Sequence, residues 1–275
     1  MTPPTSVSFA VNSKHKPPAA STEGPKNRTA RAKIRIDTLL VERGLAPSVE
    51  QARALLLAGQ VRVNEQKTDK SGTLVAADAR VELAAQPRYA SRGGLKLEGA
   101  LDDFGITPEG KVCIDIGSST GGFTDCLLQK GAAKIYAVDV TTDQLDWKLR
   151  QSAKVVVVKQ NARFLRREDI GELGEIIAVD VSFISGTKIL PVLPAIAAPG
   201  ADFLILIKPQ FELPKGDVGK GGVVRDPSLH DKAIRQVVDA AIELRFEICG
   251  VKPSQLPGAE GNQEFFLHAR QGKLE

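Results

Sequence analysis

The chain is poor in the residues that staple a fold or bind a metal. Its 275 residues hold three cysteines, Cys113, Cys126 and Cys249, an odd number without metal-ligand spacing. Each stands in an apolar strand or helix pattern, so all three are expected to be reduced, buried and inert. The three histidines, His15, His230 and His268, cluster with nothing in sequence, and no bound metal is expected. Long apolar runs are missing as well. None reaches the roughly 18 residues that a membrane span needs, and the N-terminus lacks the apolar stretch of a secretory signal. The expectations are therefore a cytoplasmic location, no membrane partner and, with the oligomeric state left open, a monomer. What is present suits an ordinary globular chain of one or two domains, 42% apolar and 25% charged. The charge is uneven. Residues 1–35 carry Lys14, Lys16, Lys26, Arg28, Arg31, Lys33 and Arg35 against Glu23 alone, a net +6 that leaves the remaining 240 residues at −2. Such a front end fits contact with a polyanion, and the alternative is a solvated, disordered tail.

Residues 1–32 are rich in Pro, Ser, Thr and Lys without apolar period, which predicts a disordered basic tail. From Ile34 the pattern turns helical through Ile36, Leu39, Leu40 and Arg43 to Gly44. Ser48 then reads as the N-cap of a second helix through Ala52, Leu55 and Leu56 to Gly59. Val61 to Asn64 and Val81 to Leu83 read as short strands. Residues 33–86 thus predict a compact module with Arg35, Arg43, Arg53 and Arg62 on exposed positions. The stretch IRIDTLLVERGLAPSVEQARALLLAGQVRVN resembles the S4 domain, the small RNA-binding module named after a ribosomal protein. It matches at Arg35, Asp37, Leu40, Gly44, Ser48, Ala52, Gly59, Val61, Val63 and Asn64. It departs at Val49, where a basic residue usually follows the serine, and at Glu65, where glycine usually follows the asparagine. The resemblance implies RNA contact through the four arginines, the alternative being a helical module that binds protein.

Residues 87–95, with Pro87, Gly93, Gly94, Arg88 and Arg92, read as a linker. From Lys96 to Glu275 strands and helices alternate, including helices near 97–104, 122–130, 143–150, 186–197 and 228–244. This predicts an α/β domain with a doubly wound, mostly parallel sheet. Within it, VCIDIGSSTGGFTDCLLQKGAAKIYAVDV (112–140) spells strand, glycine-rich turn, helix and second strand. Glycines there let the backbone approach a ligand. Asp139 ends the second strand, where a carboxylate can accept from two ribose hydroxyls. The spacing is not G-x-G-x-x-G, and Asp115 precedes the turn, where a pyrophosphate gains nothing from negative charge; a dinucleotide-dependent oxidoreductase is therefore disfavoured. The stretch resembles the first motif of S-adenosylmethionine-dependent methyltransferases, whose ligand is cationic and free of phosphate. The candidate cofactor residues are Asp115, Gly117, Ser118, Gly121, Gly122, Phe123, Asp139, Val140, Asn161 and Asp180.

Lys96, Asp180, Lys208 and Glu264 stand where buried strands give way to loops or a helix begins. Strand ends of one parallel sheet converge on one rim. Burial disfavours the charged form of a lysine such as Lys208, placed past the apolar run Phe203 to Ile207, while neighbouring carboxylates favour it. Their order is similar to the Lys-Asp-Lys-Glu tetrad of ribose 2'-O-methyltransferases. Residues 33–270 as a whole resemble the TlyA family of ribosomal RNA 2'-O-methyltransferases, historically labelled haemolysins. Eight blocks carry the likeness: SRGGLKLEGAL, DIGSSTGGFTDCLLQKGA, YAVDV, DQLDWKLR, VDVSFIS, LIKPQFE, GKGGVVRDP and GNQEFFL. The resemblance implies a class I, Rossmann-like methyltransferase fold, S-adenosylmethionine as cofactor, and a cytidine 2'-hydroxyl of ribosomal RNA or ribosomal subunits as acceptor. Lys208 would be the base, with Lys96, Asp180 and Glu264 the other catalytic residues. Glu264 is preferred to Glu260 because GNxEFF places it there. Departures at Thr141 to Leu145 and Val158 to Asn161 fall where the adenosine would rest. Arg92, Lys220 and Arg225 join the candidate RNA contacts, the last two on a glycine-rich stretch that reads as a mobile basic flap or a plain surface loop. Phe183 and Trp147 read as core rather than as base-stacking platforms. The alternatives are a membrane-active haemolysin-like protein and an RNA-binding protein without catalysis.

Overall fold

The computed structural model describes residues 32–84 and 87–271. The basic tail read over residues 1–32 lies, except for Ala32, outside the described residues. The chain divides into two compact units, meeting in sequence between Ala85 and Gln86.

The first unit runs β1 (Lys33–Arg35), α1 (Ile36–Glu42), α2 (Val49–Leu57), β2 (Val61–Val63), β3 (Gln66–Thr68), β4 (Leu74–Ala76) and β5 (Val81–Leu83). Ser48 caps α2, its hydroxyl accepting from the Gln51 N–H at 3.3 Å. Ile36, Leu39 and Leu40 of α1 pack with Ala46, with Ala52 and Leu56 of α2 and with Val61 as the buried core of the unit. Two small antiparallel sheets, β3-β2-β5 and β1-β4, complete it. β1, β3 and β4 are three residues each and carry no alternation long enough to read from sequence. Asp37 is buried in α1 yet charged, because Arg35 and Arg53 both reach it, at 2.7 and 3.2 Å.

The second unit runs α3 (Gly93–Phe104), β6 (Val112–Ile116), α4 (Gly122–Gln129), β7 (Lys134–Asp139), α5 (Trp147–Gln151), β8 (Val155–Lys159), β9 (Gly174–Val179), α6 (Leu193–Ile196), β10 (Ala197–Ile207), α7 (Pro209–Glu212), α8 (Pro227–Glu243), β11 (Phe246–Pro253) and β12 (Phe265–Gln271). Its seven strands lie in the order β11-β12-β10-β9-β6-β7-β8, parallel except that β12 runs against both neighbours. The period of two in each strand splits the core. Ile114, Ile116, Ile177, Val179, Phe203 and Ile205 face α8 through Val237 and Ala241. Cys113, Ile176, Ala178, Leu204 and Phe266 face α3 and α4 through Leu97, Leu101 and Leu127.

The structure departs from three expectations. Residues 87–95 are not a linker: Tyr89 is buried in the core beside α4, the Ala90 N–H donates to Asp125 Oδ2 at 2.8 Å, and the helix already starts at Gly93. Gly94 has to be glycine there, since a Cβ would fall 2.4 Å from the Tyr89 ring. The helix expected over 186–197 breaks into 3₁₀ turns and a four-residue helix, because Pro191 and Pro194 remove backbone donors. Cys113 and Cys126 are buried, each thiol pushed up to about 12 by burial, but Cys249 is exposed on the edge strand β11.

Candidate active site

The carboxyl ends of β6, β7, β9 and β10 meet on one rim, where two adjoining cavities open. The larger, about 600 Å³, is lined by Gly117, Ser119, Asp139, Val140, Asn161 and Asp180 together with the apolar Val138, Val181, Ile184 and Ile189. That size lies within the roughly 300–1,000 Å³ of small-ligand sites. Asp139 closes β7 with each carboxylate oxygen accepting one backbone N–H, from Ser119 and from Thr141, both at 2.9 Å. Its remaining lone pairs are available to a vicinal diol, and the apolar wall beside it suits a flat ring.

The smaller cavity, about 270 Å³, shares Gly117, Ser119, Asp180 and Ser182 with the first and adds Ser91, Arg92, Lys96, Ser118, Gly122, Phe123 and Lys208. Two largely buried ion pairs flank it. Lys96, on α3, donates to Glu264 Oε2 at 2.6 Å, and Glu264 itself stands just before β12. Glu260 is exposed and takes no such part. Lys208, first residue past β10, lies 2.6 Å from Asp180 Oδ1 and donates to Ser182 Oγ at 2.9 Å. The Lys208–Asp180 contact is close but not an aligned hydrogen bond, so the directed bond of the amine goes to Ser182. The four residues singled out from sequence thus come together as two lysine–carboxylate pairs, with Ser182 a partner that only the fold reveals.

The glycine-rich turn works differently from the expectation. A Cβ on Gly117 would lie 2.2 Å from the Asp180 carbonyl oxygen, one on Gly121 would meet Leu149 at 2.3 Å, and one on Gly122 would meet Ser91 Oγ at 2.2 Å. The missing side chains let protein segments approach one another, so the turn draws the β9 end and α3 onto the rim. Phe123 is a core residue stacked on Phe266, with ring centroids 6.2 Å apart. Asp115 and Gly121 line neither cavity. Asp115 is wholly buried behind the turn, and burial raises its carboxyl to about 7 although the Thr124 hydroxyl donates to it at 2.6 Å. Its Oδ1 has no hydrogen-bond partner among the described residues.

Phe183 and Trp147 overturn their assignment to the core. Phe183 is 92% exposed on the wall of the larger cavity, at φ +64°, with its ring centroid 5.2 Å from that of Phe211. Trp147 is 68% exposed at the start of α5. The apolar look of VSFIS hid the turn, because a left-handed residue reverses which side chain faces inward.

The seven candidate RNA contacts separate into groups. Arg43, exposed, gives both terminal nitrogens to the carbonyls of Ala77 and Ala79, each at 2.6 Å, and so braces the first unit. Arg35 and Arg53 serve Asp37 with half of each side chain still exposed. Arg62 is exposed and donates to the Glu65 carbonyl at 3.5 Å. Arg92, Lys220 and Arg225 are exposed on the second unit. The loop that bears the last two is pinned rather than a free flap: the buried Asn262 accepts from the Val224 N–H and donates to the Gly222 carbonyl, both at 2.8 Å.

An RNA-binding type of module ahead of a methyltransferase sheet defines the class. The model of the FtsJ-like methyltransferase family matches residues 89–271, and that of the S4 domain residues 34–81. The chain is 46% identical to "Putative rRNA methyltransferase YqxC" of Bacillus subtilis, over 86% of this chain and 85% of that protein. It is 44% identical to "16S/23S rRNA (cytidine-2'-O)-methyltransferase TlyA" of Mycobacterium tuberculosis, over 86% and 90%. A solved structure, "Putative hemolysin from Streptococcus thermophilus", superposes with a TM-score of 0.68 at 40% identity, covering 89% of this chain and 90% of that one. The chain belongs to the FtsJ-like methyltransferases and, within them, to the TlyA family. An RNA-binding protein without catalysis and a dinucleotide oxidoreductase are set aside with that. No helix among the described residues is long and apolar enough to cross a membrane.

Proposed function

We propose that the protein methylates the 2'-hydroxyl of a ribose, that of cytidine, in ribosomal RNA, with S-adenosylmethionine as donor, in the cytoplasm. The observation that carries the reading is the pair of largely buried ion pairs, Lys208–Asp180 and Lys96–Glu264, on a cavity that adjoins one with a carboxylate suited to a ribose diol. The printed name of the Mycobacterium tuberculosis relative supplies the acceptor. When bound, S-adenosylmethionine offers a methyl group on a positive sulfur to an attacking oxygen. Asp139 would hold the ribose of the donor, and Asn161 and Val140 would border its base. Lys208 takes the proton of the acceptor hydroxyl, a weak acid that needs a base placed within hydrogen-bond reach. Asp180 and Ser182 set the direction of that amine. Lys96, held by Glu264, orients the hydroxyl for in-line attack. Phe183 offers an exposed ring beside the cavity on which the acceptor base can stack. Arg62, the free faces of Arg35 and Arg53, and Arg92, Lys220 and Arg225 meet phosphates.

The test is direct. Purified protein is incubated with ribosomal subunits and labelled donor, and the RNA is digested to nucleosides for mass spectrometry. 2'-O-methylcytidine is expected; a label on a base, or on no ribosomal nucleoside, overturns the reading.

A further inference from the structure

One buried acid lies beside the site without touching either cavity. Glu212, 7% exposed, ends α7, the short helix that begins immediately after Lys208. Its carboxylate turns back beneath the loop that follows β9: Oε2 accepts from the Ser185 hydroxyl and Oε1 from the Gly186 N–H at 2.8 Å. Its backbone carbonyl accepts from Gln236 Nε2 of α8 at 3.1 Å, so the clamp is itself anchored. Burial pushes the Glu212 carboxyl up from its ordinary range, and the Ser185 and Gly186 donors oppose that. An acid kept buried at such a cost calls for a reason.

The loop it holds supplies that reason. Residues 180–185 present Asp180, Ser182 and Phe183, and they do so through a strained turn, Phe183 sitting at φ +64°. A non-glycine residue in that region persists only where its surroundings over-determine it. One end of the loop is fixed by the Asp180 N–H donating to the Ile116 carbonyl at 2.9 Å. The other is fixed by Glu212. Between those ends, Lys208 contacts Asp180 and Ser182, and Phe211 contacts Phe183. The two catalytic segments thus form a closed ring of contacts, and Glu212 shuts it.

We infer that Glu212 is a positioning residue for methyl transfer: it locks the Asp180–Ser185 loop onto the segment that carries Lys208 and so fixes the lysine amine against the acceptor hydroxyl. This rests on the reading of Lys208 as the base. The carboxylate acts by shape rather than by charge, because both its partners are neutral donors. A glutamine can serve them as well, its Oε1 accepting from Gly186 and its amide donating to a reoriented Ser185 hydroxyl.

The experiment compares Glu212→Ala, Glu212→Gln, Ser185→Ala and Lys208→Ala in the full chain, by single-turnover methyl transfer to ribosomal subunits at saturating donor. Donor affinity is measured by calorimetry and the melting temperature alongside. Glu212→Ala is expected to lose about tenfold or more in rate, the cost of a sub-ångström misplacement, with the donor Kd changed by less than about twofold. Ser185→Ala should lose less, and Glu212→Gln should recover most of the wild-type rate. If Glu212→Ala does not fold, Ser185→Ala and Glu212→Gln decide alone. Wild-type rates in Ser185→Ala and in every folded Glu212 variant, with Lys208→Ala inactive, overturn the clamp alone. A Glu212→Gln as slow as Ser185→Ala or slower, or a loss that follows donor affinity, also overturns it. Lys208→Ala with an undiminished rate overturns the base reading and the clamp together.

Discussion

The S4 unit and the cavity rim of the methyltransferase unit bury charge to opposite ends. In the S4 unit the buried Asp37 is answered by two arginines, and the Arg35 hydrogen bond above all holds its carboxyl down to about 2. At the cavity of the methyltransferase unit the charges come as lysine–carboxylate pairs, and Asp115 behind them is driven up to about 7 by burial; away from the cavity, Asp202, held by His268 and Arg270, repeats the arrangement of Asp37. A carboxyl lowered by folding adds stability that is lost as the solution turns acid; one raised by folding takes stability away as the pH rises through the gap. For Asp37 that window runs from about 4 down to 2, and for Asp115 from about 4 up to 7. Charge satisfied by the fold supports the fold. The charges set on the cavity wall, Lys96, Lys208 and Asp180, are placed to act on what enters it.

The largest test of this contrast is Lys208→Ala. It should leave the melting temperature and donor affinity near wild type yet slow methyl transfer by about 10²- to 10⁴-fold, the usual worth of a positioned base. Rapid-quench assays on ribosomal subunits would read this, and near-normal turnover would remove the distinction between the two units at its most important residue. Next comes Asp139→Ala, which deletes an acceptor for two hydroxyls. With hydrogen bonds to a charged group worth about 1.5–3 kcal/mol, donor binding should weaken by at least about tenfold by calorimetry. An unchanged Kd would move the donor out of the larger cavity.

How much of this was legible beforehand follows from how local each signal is. The strand, turn and helix around Gly117 to Phe123 and the Ser48 cap are patterns of a few neighbouring residues, and they stand where the sequence puts them. The two lysine–carboxylate pairs were foreshadowed by strand ends and by family likeness. Ser182, Glu212 and Asn262 were not. Each matters through a contact 26 to 40 residues away in the chain, and nothing in its own neighbourhood marks it. The contacts of Arg43 were hidden for the same reason, since an exposed arginine looks the same in a helix pattern whether or not it also reaches the carbonyls of Ala77 and Ala79. Phe183 misled because apolar character predicts burial only while the backbone stays regular.

Asp37→Asn addresses the other half of the comparison. It should cost the S4 unit about 1–3 kcal/mol, because a neutral amide cannot hold both Arg35 and Arg53, while donor affinity of the methyltransferase unit stays put. Hydrogen exchange of the amides of α1 and α2 would report it. The wild-type protection should fade between pH 4 and pH 2 as the carboxyl takes up its proton, whereas in the variant this acid-sensitive part is already gone. Protection that is equal in both at neutral pH would mean that the buried charge does not support this unit.

The smallest expected effect concerns the turn between β2 and β3. Asn64 and Glu65 sit at φ +48° and +69°, the two left-handed residues that a tight two-residue hairpin requires. Asparagine tolerates that region; glutamate, with a full side chain and no local hydrogen bond, pays about 1–2 kcal/mol for it. Glu65→Gly relieves this cost and gives part of it back, since glycine adds freedom to the unfolded chain. The ion pair it removes, Glu65 with Arg80 at 4.0 Å, is exposed and worth little. Arg62 keeps its contact because it meets the Glu65 backbone carbonyl, and Asn64 still accepts from the Arg80 N–H at 3.1 Å. The net gain should be about 0.5–1 kcal/mol, read as added amide protection in β2 and β5 with methyl transfer unchanged. A loss of protection would show that the glutamate side chain holds the hairpin in a way its exposure conceals, and that this unit too keeps a charge for more than its fold.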